Sequence, residues 1–190
     1  MGVTTDTRAR MITSAALLLR EHGVAATSIP KVLAHSNGPR GSVAHHFPGG
    51  RTELITEALQ WAGDLVTQVL TKKRGAGASA AELFAIVCDF YAQQLAATDY
   101  TAGCPIGAAA QEAFDDPDLG PTIATIVDAW ASAIAEALVD EGHARQDADD
   151  LALLCVASLE GAILIARVKK STRPIELVRA TLLGQLALKP

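Results

Sequence analysis

One stretch, residues 27–50, gathers most of the side chains whose types and spacing suggest a common chemistry; it reads TSIPKVLAHSNGPRGSVAHHFPGG. Arg40 ends in a planar fork of donors that matches the paired acceptors on a guanine edge, the chemistry of base readout in a DNA groove. Ser42 can reach a base or a phosphate. Thr27, Ser28, Lys31, His45 and His46, with Arg51 just beyond, supply donors and positive charge suited to holding a phosphate backbone. Pro39, Gly41 and Ala44 carry little bulk and let the chain approach a duplex closely. A metal reading of the two histidines is weaker, because adjacent residues on a helix point about 100° apart and no carboxylate stands near them in sequence.

These side chains need elements to present them. Thr27 and Ser28 are good N-cap residues, and Ile29, Val32 and Leu33 fall at helical spacing over about two turns. Asn37 and Gly38 are the residue types that most readily take the positive φ of a sharp turn. Pro39 suits a first helical position and launches a second helix through His46, which Pro48, Gly49 and Gly50 stop. Two short helices around a turn of three or four residues form a helix-turn-helix, whose second helix lies in the major groove. Upstream, Ile12, Ala15, Ala16 and Leu19 form one apolar stripe on a helix over residues 5–22 that Gly23 caps. The resulting three-helix module has a small core of Leu18, Leu19, Ile29, Val32, Leu33, Val43 and Phe47.

With those residues in place, the stretch resembles the tetracycline-repressor (TetR) family of transcriptional regulators. Gly23, Thr27, Pro39, Arg40, Gly41, Ser42, His45, His46 and Phe47 match its DNA-binding signature. The closing Pro48–Gly50 and the later run GCPIGAAAQEAF are similar to the LmrA/YxaF-like subgroup of multidrug-resistance repressors. Two positions depart from the pattern. Ala44 stands where most members have a tyrosine that reaches a phosphate, and Pro30 sits in the first turn of the first short helix, where it can be accommodated. The resemblance implies an all-α, TetR-like fold with an N-terminal three-helix head and a C-terminal helical body. It also implies a homodimer joined by a four-helix bundle of the last two long helices.

Charge is divided accordingly. The chain carries −5 overall, yet residues 1–52 hold six Arg or Lys against two acids, a net of +4 that leaves −9 in the rest. A basic module on an acidic body is the footprint of a local phosphate contact. Three cysteines, Cys88, Cys104 and Cys155, lie far apart without metal-ligand spacing, which fits a reducing cytoplasm and neither a disulfide framework nor a zinc site. No signal-peptide plan is present. Residues 151–168 are apolar enough to imitate a membrane span, but Glu160 within them favours a buried helix. Glycines at 75 and 77 do not make a nucleotide-binding turn, since no strand precedes them.

Residues 1–50 are thus expected to be the DNA-binding domain and 51–190 a helical ligand-binding and dimerisation domain. Seven of the eight aromatic residues fall between 61 and 130, and aromatic walls suit a pocket for an apolar or aromatic effector. Its expected lining is Trp61, Leu65, Phe84, Cys88, Tyr91, Cys104, Gln111, Trp130 and Ile134. The nearly all-round aliphatic helix over 151–168 and the amphipathic helix from Pro174 are too apolar to leave exposed, so a second copy should cover them. Glu160 and Gly161 fit a close crossing with a buried polar contact. The expected function is repression at a palindromic operator, relieved by the effector, with no cofactor. Control by a protein partner or by oxidation of Cys104 is the alternative. An α-helical enzyme using Glu112, Asp115, Asp116 or Asp118 fits poorly, because those acids sit as caps and turns without a nucleophile and base.

Overall fold

The structure, a computed structural model, describes the backbone of residues 3–188 and side chains from residue 7 to 188. Nine α-helices and no strand occur among the described residues. These residues fall into two compact units, one reaching to Asp64 and including Pro105–Ile126, the other comprising Leu65–Cys104 and the described residues from Val127 onward. This division by compactness differs from the functional one expected at residue 50. The fold is all-α.

In the first unit, α1 (Val3–Ala26) buries the stripe of Met11, Ile12, Ala15, Ala16, Leu18 and Leu19. Gly23 interrupts it at φ 77, ψ −177, a conformation open essentially only to glycine. A Cβ there would also lie 1.9 Å from Glu112 Oε1. Beyond the kink, Ser28 is extended and α2 (Ile29–Ser36) begins, with Pro30 tolerated in its first turn. Asn37 ends it in the left-handed region, and the Gly38 amide donates to Leu33 O at 3.0 Å. Gly38 itself has no positive φ; a Cβ there would fall 2.6 Å from Met11 Cε on α1, the end of a flexible side chain that would have to shift.

The second short helix starts later than Pro39. Residues 39–41 form a turn, and α3 spans Ser42–His46. Both the amide and the hydroxyl of Ser42 donate to Pro39 O, at 3.0 and 2.6 Å, which closes a turn in place of the ladder a helix from Pro39 would need. Val32, Val43 and Phe47 are buried as expected, whereas Ile29 and Leu33 are only half-buried. α4 (Gly50–Gly75) opens with Glu53 Oε2 accepting from Gly49 N at 2.7 Å. α6 (Pro105–Ala113) packs on α1. α7 (Leu119–Asp140) starts two residues ahead of Pro121, because Asp116 Oδ1 accepts from the amides of Asp118 and Leu119, both at 2.9 Å. Those two amides hold the Asp116 carboxyl below its ordinary range.

In the second unit, the remainders of α4 and α7 join α5 (Ala80–Ala97), α8 (Arg145–Lys169) and α9 (Arg173–Leu186). α5 is fixed at its start by a reciprocal cap: Ser79 Oγ accepts from Glu82 N, and Glu82 Oε2 accepts from Ser79 N at 2.8 Å. It packs against α8 and α9, which also pack on each other. Both α7 and α8 are long and apolar enough to cross a membrane by length and composition alone. One side of α8 is nonetheless core: Ala152, Cys155, Val156, Leu159 and Ile163 are buried at helical spacing.

Candidate nucleic-acid interface and body cavity

The helix-turn-helix residues divide by where their side chains end. Lys31, Pro39, Arg40, Gly41, Ala44 and His45 are exposed, and Ser28, Ser42 and His46 are half-buried. α2 and α3 and the turn between them therefore bring the two cations, the two histidines and the small residues together on adjoining elements. Thr27 departs from expectation. Its side chain is fully buried and its hydroxyl donates to Gly23 O at 2.7 Å, so it ties the kink of α1 to α2 and faces no surface. Arg51 departs too. Its guanidinium donates to Thr27 O at 3.0 Å and to Val24 O, so it staples the start of α4 to the same kink.

Two further arginines have inward roles that charge counting could not separate from DNA contacts. Arg10 Nε donates to Ser36 O at 3.2 Å, at the last carbonyls of α2. Arg8 lies 5.1 Å over the Phe47 ring, donates to His46 O at 3.4 Å and pairs with Glu57 at 2.5 Å. Part of the +4 footprint is thus internal bracing that sets the pose of α2 and α3, and the exposed positive charge of those helices rests on Lys31 and Arg40. Glu112 on α6 completes the bracing, with Oε2 accepting from Ala25 N at 2.6 Å just past Gly23.

The second unit contains a narrow apolar cavity of about 20 Å3. Of the nine expected lining residues, Phe84, Tyr91, Trp130 and Ile134 border it, joined by Val66, Leu70, Val87, Val156, Leu159 and Glu160. Cys104 is buried beside it and accepts a hydrogen bond from Tyr91 Oη at 3.1 Å. The other four expected residues do not border it. Cys88 is buried elsewhere in the core of α5, and Leu65 is 47% exposed. Trp61, 37% exposed, and Gln111, whose amide donates to Gly107 O at 3.3 Å, belong to the surface of the first unit. Helical position explains these misses: aromatic type alone does not say which face of α4 or α6 a residue occupies.

Glu160 is the lining residue that the sequence signalled most clearly, as the one acid inside the apolar run of α8. The residue as a whole is half-buried, while protein atoms crowd its carboxyl away from water. That desolvation pushes the carboxyl up to about 7, and a hydrogen bond from the Cys104 thiol partly opposes the shift. Tyr91, Cys104 and Glu160 thus form one chain of hydrogen bonds. Burial likewise pushes the Cys88 and Cys155 thiols up to about 12, leaving both neutral. No group of three or more metal-ligating side chains occurs among the described residues.

Residues 80–181, which build α5 to α9, match the family described as transcriptional regulator LmrA/YxaF-like, C-terminal domain. The chain belongs to the TetR family. It is 44% identical over 181 residues to an HTH-type transcriptional regulator of Mycobacterium tuberculosis, covering 92% of this chain and 91% of that one. It is also 26% identical over 171 residues to the HTH-type transcriptional regulator LmrA of Bacillus subtilis, covering 90% and 91%. The fold is similar to that of a TetR regulatory protein from Rhodobacter sphaeroides, with a TM-score of 0.82 at 18% identity over 93% of this chain and 96% of that one. A helix-turn-helix transcriptional regulator is therefore what this TetR-family chain is, and not an enzyme.

One more surface stands out in this TetR-family body. Leu153, Leu154, Leu164, Ile165 and Val168 on α8 and Leu177 on α9 are 43–77% exposed. Ala157 and Gly161 lie between them on α8, both exposed, and a Cβ added at Gly161 would meet nothing within 4 Å. An aliphatic stripe with a smooth centre is an unusual face to leave in water.

Proposed function

We propose that the protein is a ligand-controlled repressor that binds a palindromic operator as a homodimer. The observation that carries this reading is the pairing of an exposed Lys31–Arg40 surface on the head with a separate aromatic-walled cavity in the body. Arg40 reads a guanine edge. Lys31, Ser28, Ser42, His45 and His46 hold phosphates, and Pro39, Gly41 and Ala44 permit close approach. Thr27 and Arg51 act from within, by fixing the kink from which α2 departs. With alanine at 44, phosphate anchoring on that edge falls to His45 and His46.

The exposed stripe of α8, together with Leu177 of α9, meets its own copy about a two-fold axis. Such symmetry presents two heads to half-sites spaced by about 34 Å or a multiple of it. The effector is a small, largely apolar molecule. Because the cavity has room for only about one water, an effector must part its walls, and it does so only by binding an expanded arrangement more tightly than this one. α4 supplies Val66 and Leu70 to the cavity and begins at Gly50 in the unit that holds the head, which makes it the covalent route for the change. A DNA-bound regulator of this kind works in the cytoplasm.

The reading is tested by finding DNA that the full-length chain binds and then screening small aromatic compounds for release, followed by fluorescence anisotropy. Release at concentrations that also raise the melting temperature supports ligand control. Thermal stabilisation without release by any binder would leave control to a protein partner.

A further inference from the structure

Resting on the proposed DNA contacts, we propose that the head's hold on DNA is proton-linked: His45 and His46 take up protons as they meet phosphates, so affinity rises as the medium becomes more acidic. Histidine is the side chain that ordinarily changes charge between pH 5 and 8. Four of the chain's five, His22, His35, His45 and His46, fall within residues 1–50, and His143 alone lies later. His45 and His46 directly follow Ala44, the position at which the TetR pattern has a tyrosine.

Neither ring finds an anion within the head. His45 is exposed and His46 half-buried. Their ring centroids lie 5.0 Å apart, edge to face, and Phe47 follows at 6.4 Å from His46. Among the described residues, the histidine that pairs with a carboxylate is His22, with Glu21 at 3.5 Å. The two α4 carboxylates that reach the residues around α3 are already engaged. Glu57 pairs with Arg8 at 2.5 Å, and Glu53 accepts from Gly49 N at 2.7 Å. From α1, Arg8 lies over the Phe47 ring and donates to the backbone carbonyl of His46 at 3.4 Å. The charged or titratable side chains that α2 and the turn add are Lys31, His35 and Arg40, all exposed and all basic. What this surface lacks is an anion, and a DNA phosphate supplies one.

A phosphate at short range favours imidazolium over imidazole. Binding and protonation are then linked equilibria, each of which promotes the other. The effect is large beside the standing charge, because Lys31 and Arg40 supply two positive charges to the turn and its helices and two imidazoliums double that. A neutral imidazole still donates one N–H to a phosphate oxygen, whereas an imidazolium also neutralises the phosphate and releases a counterion. Each proton taken up on binding changes affinity by up to about tenfold per pH unit, and both heads of a dimer contribute. A lysine at either position would hold DNA at every pH. Histidine makes the hold conditional, tightest in acid and weaker in alkali.

Binding of the full-length protein to a mixed-sequence DNA duplex, followed by fluorescence anisotropy at pH 6, 7 and 8 over a salt series, tests the link. Wild type is compared with the double variant His45→Gln, His46→Gln and with His143→Gln as a control in the body. Wild-type affinity should rise roughly tenfold or more from pH 8 to pH 6. Its salt slope should steepen by about 0.9 for each phosphate that an imidazolium neutralises. The rise should shrink to about threefold or less in the double variant and persist in His143→Gln. Each protein's own ratio of affinities at pH 6 and pH 8 is the readout, so a uniform loss of binding does not imitate the effect. Should the double variant fold poorly, NMR titration of the wild-type imidazoles with and without the duplex decides: DNA should raise the protonation midpoints of both rings, and unmoved midpoints overturn the link. A flat wild-type profile, an affinity that grows with rising pH, or an equal ratio in the double variant overturns it too, while leaving DNA binding in place. Absence of binding to any duplex at every pH would overturn both the link and the proposed DNA contacts.

Discussion

Glu160 gives a prediction about stability that needs neither DNA nor ligand. Its carboxyl titrates at about 7 in the folded chain against an ordinary value of 4.5. Between those two values the folded protein holds a proton that the unfolded chain releases, so stability is fully present below 4.5 and is lost as pH rises towards 7. The gap corresponds to about 3 kcal/mol, of which about 2.5 kcal/mol falls between pH 5 and pH 8. Urea denaturation of the wild type and Glu160→Gln at fixed protein concentration isolates it, because other titrating groups cancel in the difference. The variant should gain on the wild type by about that amount across the range. Parallel stability curves at all four of pH 5, 6, 7 and 8 would refute the claim that the carboxyl is buried without charge compensation.

Three other outcomes follow from the geometry. Arg40→Ala should cost about 1–3 kcal/mol on the operator and little on random DNA, while Lys31→Ala weakens both alike and lowers the salt slope by about one; anisotropy over a salt series separates them. Gly23→Ala forces a side chain into a glycine-only conformation and into the Glu112 carboxylate, so it should destabilise by about 2 kcal/mol or more in thermal melts; a neutral effect would mean the kink is not maintained in solution. Val168→Glu, at a position 77% exposed in the single chain, should leave the fold intact but yield monomers in sedimentation and abolish operator binding; an unchanged dimer would move the interface away from α8.

The head was legible because its signals are local. Asn37 does take the left-handed conformation, Pro30 does sit in a first turn, and Phe47 is buried. What sequence could not show was the direction of its polar groups. Thr27, Arg8, Arg10 and Arg51 have the chemistry of phosphate ligands, yet each meets a carbonyl, ring or carboxylate of the head itself, and such pairings depend on contacts between residues up to 49 apart. The onset of α3 was misplaced for a similar reason, since Pro39 favours both a helix start and a turn and the two Ser42 donors decide for the turn. In the body, the helical course of residues 151–168 and the helix start beside Pro174 were legible from apolar periodicity and proline, although α8 extends back to Arg145. The cavity was only half legible, because aromatic residues were informative by type while their facing depended on packing; Phe90 and Phe114 end up exposed, and aliphatic Val66 and Val87 line the space.

A two-fold pair of heads reading DNA through the exposed turn and α3 is the claim on which the proposed function depends most. Selection of bound sequences from a random DNA pool by the full-length protein tests this in one step. The expected product is an inverted repeat with half-site centres about 34 Å, or a multiple of it, apart, and loss of that enrichment in Arg40→Ala. Enrichment of a single half-site or a direct repeat, or the same repeat recovered undiminished by Arg40→Ala, would contradict it.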